Sequence, residues 1–207
     1  MGDFLKSSWL VLAAALVFGL LLAIVYVNWQ PRIEENERLK LERGIYSILT
    51  NATSTKADTL MIEGEETTEP LVLYTGLDST GTPVGLVFTA EGTGFQDKIK
   101  LLVGVDLEFE HYKGIAVIAA AETPGFGDAI RDYDIFRCQF VGTPVDPPLK
   151  VVKTGDRRKT DDNEIVSITG ATITSRSVTN LINARVRKIR EAVRHHVRER
   201  MRGSHGA

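Results

Sequence analysis

One long uncharged segment, residues 7–30, constrains the fold of this chain more than any other feature, and its part 9–27 is almost wholly apolar. A helix of about 20 apolar residues is long enough to span the hydrocarbon core of a bilayer. Trp9 stands at one end of the segment, with Tyr26 and Trp29 at the other, where interfacial aromatic residues are expected. We therefore predict an uncleaved transmembrane anchor. A cleaved signal peptide is the alternative, but its apolar part would be shorter and would precede an A-x-A-like site.

The charges that flank the anchor leave its orientation open. Lys6 precedes it, while Arg32, Arg38, Lys40 and Arg43 follow it. Taken literally, the positive-inside rule would leave the C-terminal side in the cytoplasm. Long domains, however, translocate largely regardless of charge, so the rule is weakest for a chain of this kind.

The remainder of the 207 residues is of ordinary size for one compact domain. We predict an anchor at 1–30, a connecting helix and loop at 31–69, the domain at 70–190, and a basic helix end and tail at 191–207. The formal net charge of -2 gives no argument for nucleic acid as a partner. The single cysteine, Cys138, excludes an intrachain disulfide and a cysteine-cluster metal site, and we expect no metal.

The pattern of short apolar runs predicts the fold class. Runs rich in β-branched residues recur between turn residues and predict strands at 71–74, 84–88, 99–105 and 115–121. The segment 51–69 is polar and predicts an irregular or loosely paired loop. Helices are predicted at 33–49, 128–136 and 175–202. We expect an α+β fold, in which a single transmembrane helix precedes a mainly antiparallel sheet flanked by helices.

The last predicted helix combines an apolar stripe with strongly basic faces. Steps of three and four place Val178, Ile182, Val186 and Ile189 on one side. The basic faces fit contact with anionic lipid or with an acidic partner subunit. A solvated helix surface is the alternative.

Hydroxyl side chains are concentrated in residues 167–175, Ser-Ile-Thr-Gly-Ala-Thr-Ile-Thr-Ser, between a strand-like run and this helix. A strand-to-helix turn points free N–H groups and the positive end of the helix dipole at one place, which suits a phosphate. Gly170 permits close approach or a positive φ. Thr172, Thr174 and Ser175 can donate hydrogen bonds to phosphate oxygens or cap the helix, and an ordinary capped turn is the alternative.

A second dense loop, Glu-Thr-Pro-Gly-Phe-Gly-Asp at 122–128, follows the strand predicted at 115–121. Pro124 and Gly125 predict a turn, and Gly127 allows close approach of a ligand. Phe126 can stack on a flat ring, and Glu122 can form a hydrogen bond with one. The alternative is a plain turn with a buried phenylalanine.

A third loop, residues 91–97, contains Gly92 and Gly94 at the G-x-G spacing of dinucleotide-binding loops. No third glycine falls in register and no helix pattern follows. We therefore reject a Rossmann dinucleotide site.

Thr169-Gly170-Ala171-Thr172-Ile173-Thr174 resembles the flavinylation motif of the FMN-binding domain family, with Thr169 in place of the usual serine. The 122–127 loop and the run Gly94-Phe95 … Val103-Gly104-Val105-Asp106 resemble the G subunits of Rnf electron-transport complexes. The C subunits of sodium-pumping NADH:quinone reductases are close relatives of that family. The resemblance covers the N-terminal span and residues 71–186.

This resemblance implies that the phosphate of FMN is esterified to the last threonine of the motif, Thr174. It also implies that a separate flavin transferase attaches the group from FAD on the extracytoplasmic face. The chain itself would have no catalytic residues. Together with Thr174, the candidate cofactor-binding residues are Thr169, Gly170, Ala171, Thr172, Ser175, Glu122, Thr123, Pro124, Gly125 and Gly127.

The function implied by the resemblance is that of a membrane-anchored, covalently flavinylated electron carrier. Its partners would be other membrane and peripheral subunits of an Rnf-type complex that couples ferredoxin and NAD oxidation–reduction to ion movement. The expected location is a bacterial inner membrane, with the domain on the periplasmic side and the lipid bilayer around the anchor. The alternatives are a C-type subunit of a quinone reductase, or an anchored extracytoplasmic sensor or interaction module without flavin.

Overall fold

The structure is a computed structural model that describes residues 2–63, 68–159 and 161–203. The chain divides into two compact units, Met1–Glu42 and Arg43–Ala207. The element order is one long helix, five strands, two short 3-10 helices, two short strands and a final helix.

The first helix, α1, runs without a break over Gly2–Ile48 and includes Pro31. The anchor and the connecting helix, predicted as separate pieces, are therefore one element. Proline removes one helical hydrogen bond, and the following turns hold ion pairs from Arg38 to Glu35 and to Glu42, both at 2.7 Å. The most apolar part of this helix has a mean hydropathy of 2.9, and the helix is long and apolar enough to cross a membrane.

Five antiparallel strands follow in the order β1-β2-β3-β4-β5. All four predicted strands are confirmed; three lie within longer strands, and the one predicted at 115–121 begins earlier, at Tyr112, and ends at Ala120. In the turn between β2 and β3, the Asp78 carboxylate accepts the N–H groups of Thr80 and Thr82, at 2.8 and 2.9 Å. The strand bounds are β1 Ser54–Glu63, β2 Thr68–Leu77, β3 Pro83–Thr93, β4 Lys98–Val105 and β5 Tyr112–Ala120.

The segment 51–69, predicted as an irregular or loosely paired loop, is instead mostly regular sheet. Most of that segment forms β1 and the start of β2, which pair in register from Ser54 opposite Leu77 to Glu63 opposite Thr68. Residues 64–67 lie outside the described residues. β1 is the outer strand of the sheet, so polar side chains such as Lys56 and Asp58 remain exposed there while the backbone pairs on one side.

The helix predicted at 128–136 is replaced by two 3-10 helices, Gly127–Arg131 and Arg137–Phe140. Asp132 interrupts the helical pattern because its carboxylate accepts the N–H of Ile135, at 2.9 Å. Two short parallel strands follow, β6 Lys150–Val152 and β7 Glu164–Val166. The strand-like run that precedes the hydroxyl-rich turn includes β7, whereas β6 was not predicted.

The last helix, α2, covers Thr172–Gly203 and begins three residues earlier than predicted. Its predicted stripe is buried at Val178, Ile182, Val186 and Ile189. The side chains of residues 191–203, including four of the nine Lys and Arg residues of the basic faces, lie outside the described ones, and so do residues 204–207 entirely.

The core of the second unit lies between the sheet and α2. Leu101, Val103 and Val105 of β4 belong to one buried cluster with Val178 and Ile182 of α2. Because side chains alternate along a strand, the intervening residues face the other way. There the end of α1 covers the sheet, and a Cβ added at Gly104 would collide with Ile48.

We expect Ile182→Ala to lower the free energy of unfolding by about 2–5 kcal/mol, because it leaves a cavity under a fully buried side chain. Ile173→Ala is the matched control on the same helix, since Ile173 is 57% exposed. We expect that change to stay within about 0.5 kcal/mol. Urea unfolding of the full chain in detergent, followed by circular dichroism, measures both, and equal losses would contradict this packing.

Candidate cofactor site

The sheet brings two of the three predicted loops to the same edge. β3 and β5 run in the same direction on either side of β4, and so their C-terminal ends lie together. The 94–97 loop leaves β3 at that edge, and the 122–128 loop leaves β5. The start of α2 completes the group, and the three segments line a cavity of about 450 Å³. The lining residues are Phe95, Glu122, Thr123, Phe126, Gly127, Gly170, Ala171, Thr172, Ile173 and Thr174.

A buried carboxylate joins the three segments. Glu122 is only 6% exposed, and its Oε2 accepts a hydrogen bond from the Thr174 hydroxyl at 2.8 Å. Its Oε1 accepts the N–H groups of Phe95, at 2.8 Å, and of Gln96, at 3.3 Å. Removal of a carboxylate from water costs free energy unless such donors replace the water. The three hydrogen bonds therefore explain how Glu122 is tolerated at this position.

Two glycines leave the space that this carboxylate occupies. A Cβ added at Gly127 would lie 2.7 Å from Glu122 Oε2 and 3.0 Å from Thr174 Oγ1. A Cβ added at Gly94 would collide with Glu122 Oε1. Glycine at both positions is therefore required for the close approach of Glu122 to Thr174.

The first turn of α2 presents free N–H groups beside Thr174. The N–H of Ala171 donates to Ile168, and that of Ser175 donates to Ala171, both at 3.0 Å. Among the described residues, the N–H groups of Thr172, Ile173 and Thr174 have no acceptor. Three free donors at the positive end of a helix dipole form a suitable site for a phosphate.

The outer part of the cavity is apolar. Phe95, Phe126 and Ile173 line it and are 58%, 53% and 57% exposed. Gly170 has a φ of +80°, and a Cβ added to it would lie 2.7 Å from Cδ1 of Phe126. Phe126 therefore lies against the backbone of the α2 turn, contrary to the alternative of a plain turn with a buried phenylalanine.

Seven of the eleven predicted site residues line this cavity: Glu122, Thr123, Gly127, Gly170, Ala171, Thr172 and Thr174. Pro124 and Gly125 are exposed in the turn outside it, as is Thr169 in the turn before α2. Ser175 is fully buried below it. The Ser175 hydroxyl donates to the carbonyl of Ala171, at 3.0 Å, and accepts the N–H of Ile168, at 3.1 Å. Ser175 thus holds the backbone of the turn and does not face the cavity.

The contribution of the 94–97 loop was not predicted from the sequence. A Rossmann site was rejected there, and this segment does lead into a strand. However, Phe95 and Gln96 supply the N–H donors for Glu122, and Phe95 also lines the cavity. The sequence feature that could have indicated this loop is Gly94, because its missing side chain makes room for the carboxylate of Glu122.

The only thiol of the chain lies away from the cavity lining. Cys138 is half-buried, and its Sγ lies 3.4 Å from the carbonyl oxygen of Asp134. Burial raises the pKa of the Cys138 thiol, which lowers the fraction of reactive thiolate at neutral pH. Thr174 is therefore a better candidate than Cys138 for attachment of a group at this site.

We expect Gly170→Ala to destabilise the domain more than Gly81→Ala does. The two glycines have φ values of +80° and +81°, so alanine costs about 1–2 kcal/mol of backbone strain at either position. Only Gly170 also has an aromatic ring against it, since nothing lies within 4 Å of a Cβ at Gly81. We expect the additional loss to be about 1–3 kcal/mol. Equal urea midpoints would show that Phe126 does not pack there.

The chain is similar to known proteins in sequence and in fold. Residues 94–187 match the FMN-binding domain model. The G subunit of the ion-translocating oxidoreductase complex from Methanosarcina acetivorans is 32% identical over 174 residues, which cover 82% of this chain and 86% of that protein. The G subunit of the Na(+)-translocating ferredoxin:NAD(+) oxidoreductase complex from Acetobacterium woodii is 36% identical over 120 residues, 58% of this chain and 55% of that one.

Among solved structures, NqrC from Shewanella oneidensis has the same fold. Its crystal structure superposes with a TM-score of 0.56 at 20% identity, over 67% of this chain and 79% of NqrC. The apolar α1 helix and the similarity to membrane-complex subunits indicate a membrane-anchored protein. The extent of the sequence similarity shows that this chain belongs to the family of G subunits of ion-translocating oxidoreductase complexes.

Proposed function

We propose that this chain carries FMN covalently on Thr174 and relays electrons within an ion-translocating ferredoxin:NAD oxidoreductase complex of the Rnf type. The single observation that carries the proposal is the position of the Thr174 hydroxyl. Thr174 lines the cavity from the first turn of α2, its hydroxyl donates to Glu122, and three N–H groups of the same turn have no acceptor among the described residues.

The residues around Thr174 fit a phosphate that is esterified to its oxygen. The N–H groups of Thr172, Ile173 and Thr174 would donate to the phosphate oxygens, and the dipole of α2 would stabilise the negative charge. The Thr172 side chain also lines the cavity and can add a hydroxyl donor. A covalent bond at this position would keep the group from diffusing away outside the membrane.

The apolar outer part of the cavity suits the flat ring of a flavin. Phe95, Phe126 and Ile173 can contact such a ring while they leave one side of it open to partner proteins. When bound, FMN would supply the redox chemistry by accepting and passing on electrons. The protein would position the ring and set the polarity around it.

We further propose that the second unit lies on the extracytoplasmic side of the membrane, where a separate flavin transferase attaches the group. The lipid bilayer would surround the apolar part of α1. The sequence similarity to the G subunits favours the Rnf-type complex over a quinone reductase, since the likeness to NqrC is one of fold. The match to the FMN-binding domain argues against a sensor module without flavin.

We expect Thr174→Ala to abolish covalent flavin attachment because it removes the attacking oxygen. When the full chain is co-expressed with a flavin transferase, the wild type should gain the mass of FMN minus water and show flavin fluorescence on a denaturing gel. Thr174→Ser should retain both signals, since it keeps the hydroxyl.

Thr172→Ala is the matched control, because it removes a neighbouring hydroxyl from the same turn and the same cavity. It should still gain the full increment. An increment that survives in Thr174→Ala would place the attachment elsewhere. A wild type that stays colourless and unmodified would contradict the proposed function itself.

For the topology, we expect an impermeant maleimide to label Ser79→Cys in intact spheroplasts, in a Cys138→Ser background. Ser79 is exposed in the turn between β2 and β3, so the reagent can reach it wherever the second unit is outside the membrane. Asp3→Cys, on the other side of the anchor, should be labelled only after lysis. The reverse pattern would place the domain in the cytoplasm.

A further inference from the structure

We infer that Glu122 is the base that takes the proton of the Thr174 hydroxyl when the flavin phosphate is transferred to it. The chain would then supply part of the catalytic machinery for its own modification. This inference rests on the proposed attachment at Thr174 and assigns the chemical role of one further residue there.

The Thr174 hydroxyl donates a hydrogen bond to Glu122, so its proton can pass directly to that carboxylate. The hydroxyl oxygen and Glu122 Oε2 are 2.8 Å apart, which is within the distance required of a general base. The Phe95 and Gln96 N–H groups donate to the other carboxylate oxygen and hold it in place. Since the hydroxyl donates its hydrogen to Glu122, the lone pairs of its oxygen remain available for attack.

No other described residue that lines the cavity can perform this task. Glu122 is the one ionisable side chain among the described residues that line it. Within the described part of the chain, the Thr174 hydroxyl forms its hydrogen bond with Glu122 alone. The N–H groups of Thr172, Ile173 and Thr174 belong to the same turn and have no acceptor among the described residues, so they suit the negative charge that develops on a phosphoryl group during transfer.

The transfer step is balanced with a flavin dinucleotide as the donor. Thr174 Oγ forms a bond to the phosphorus nearer the riboflavin, and the bond from that phosphorus to the bridging oxygen of the pyrophosphate breaks. Adenosine monophosphate leaves, and the proton of Thr174 passes to Glu122 Oε2. Nothing is oxidised or reduced.

Transfer of the Thr174 proton to Glu122 also avoids a repulsion between two negative charges in the modified protein. A phosphodiester on Thr174 carries one negative charge, and an ionised Glu122 beside it would repel that charge. A protonated Glu122 is neutral and can donate a hydrogen bond to the diester. Proton transfer thus converts the Glu122 side chain from an acceptor for the hydroxyl into a donor for the modified residue.

The test is the initial rate of flavinylation of Glu122→Gln. The amide has the shape of the carboxylate and can accept the same backbone hydrogen bonds, but it cannot take a proton. Full-length protein in detergent is mixed with FAD and purified flavin transferase, and intact mass is followed with time. We expect the rate to fall about 10²–10⁴-fold, the usual contribution of a general base, while the thermal unfolding midpoint stays near that of the wild type.

The dependence of the rate on pH separates a base from a residue that only holds the loops. The wild-type rate should flatten with rising pH because a resident base takes the proton, whereas the Glu122→Gln rate should continue to rise with hydroxide concentration. A purely structural Glu122 would give parallel profiles. Glu108→Gln, the same change at an exposed glutamate that does not line the cavity, is the matched control and should retain both the rate and the profile of the wild type.

The outcomes distinguish this inference from the proposed function. If Glu122→Gln is modified at the wild-type rate, the inference fails while attachment at Thr174 stands. If the wild type takes no flavin, or Thr174→Ala takes it, both fail. If Glu122→Gln unfolds at a lower temperature, Glu122→Asp decides the question. A levelling pH profile in Glu122→Asp supports the base, and a profile that rises with hydroxide overturns it.

Discussion

The burial of one carboxylate is the constraint on which the site depends. A buried carboxylate is costly unless hydrogen bonds replace its lost water, and Glu122 obtains them from two segments distant in sequence. The N–H donors of Phe95 and Gln96 lie 27 and 26 residues away, and the Thr174 hydroxyl lies 52 residues away. These hydrogen bonds fix the relative positions of two loops and a helix terminus. Gly94 and Gly127 are the steric consequence of the same requirement.

The order and direction of the strands bring these two loops and the helix terminus together. Since β3 and β5 flank β4 and run in the same direction, their following loops meet at one edge without any long connection. The end of α1 covers one face of the sheet, through Ile48, and the stripe of α2 covers the other. The first turn of α2 thereby reaches the edge where the loops emerge. A rigid scaffold thus positions a site that is built largely from loops.

The sequence predicts the core of this fold better than its periphery. Apolar strands between turn residues and the stripe of α2 are visible because burial imposes a period on them. The same reasoning does not identify β1, because an outer strand with exposed faces needs no apolar pattern. The motifs around Thr174 and Glu122 were identified, but not the hydrogen bond between them. Long-range pairing depends on the register of strands and loops, which a single sequence does not encode by spacing alone. For the same reason, the sequence did not predict the contact of Phe95 with Glu122.

The burial of Thr174 affects how long a flavin ester formed on it would survive. The residue is 2% exposed, and an ester formed on its oxygen would sit beneath the outer part of the cavity, with little access for bulk water. The cofactor would then persist for the lifetime of the polypeptide. Its replacement would depend on protein turnover, with no exchange against a free pool.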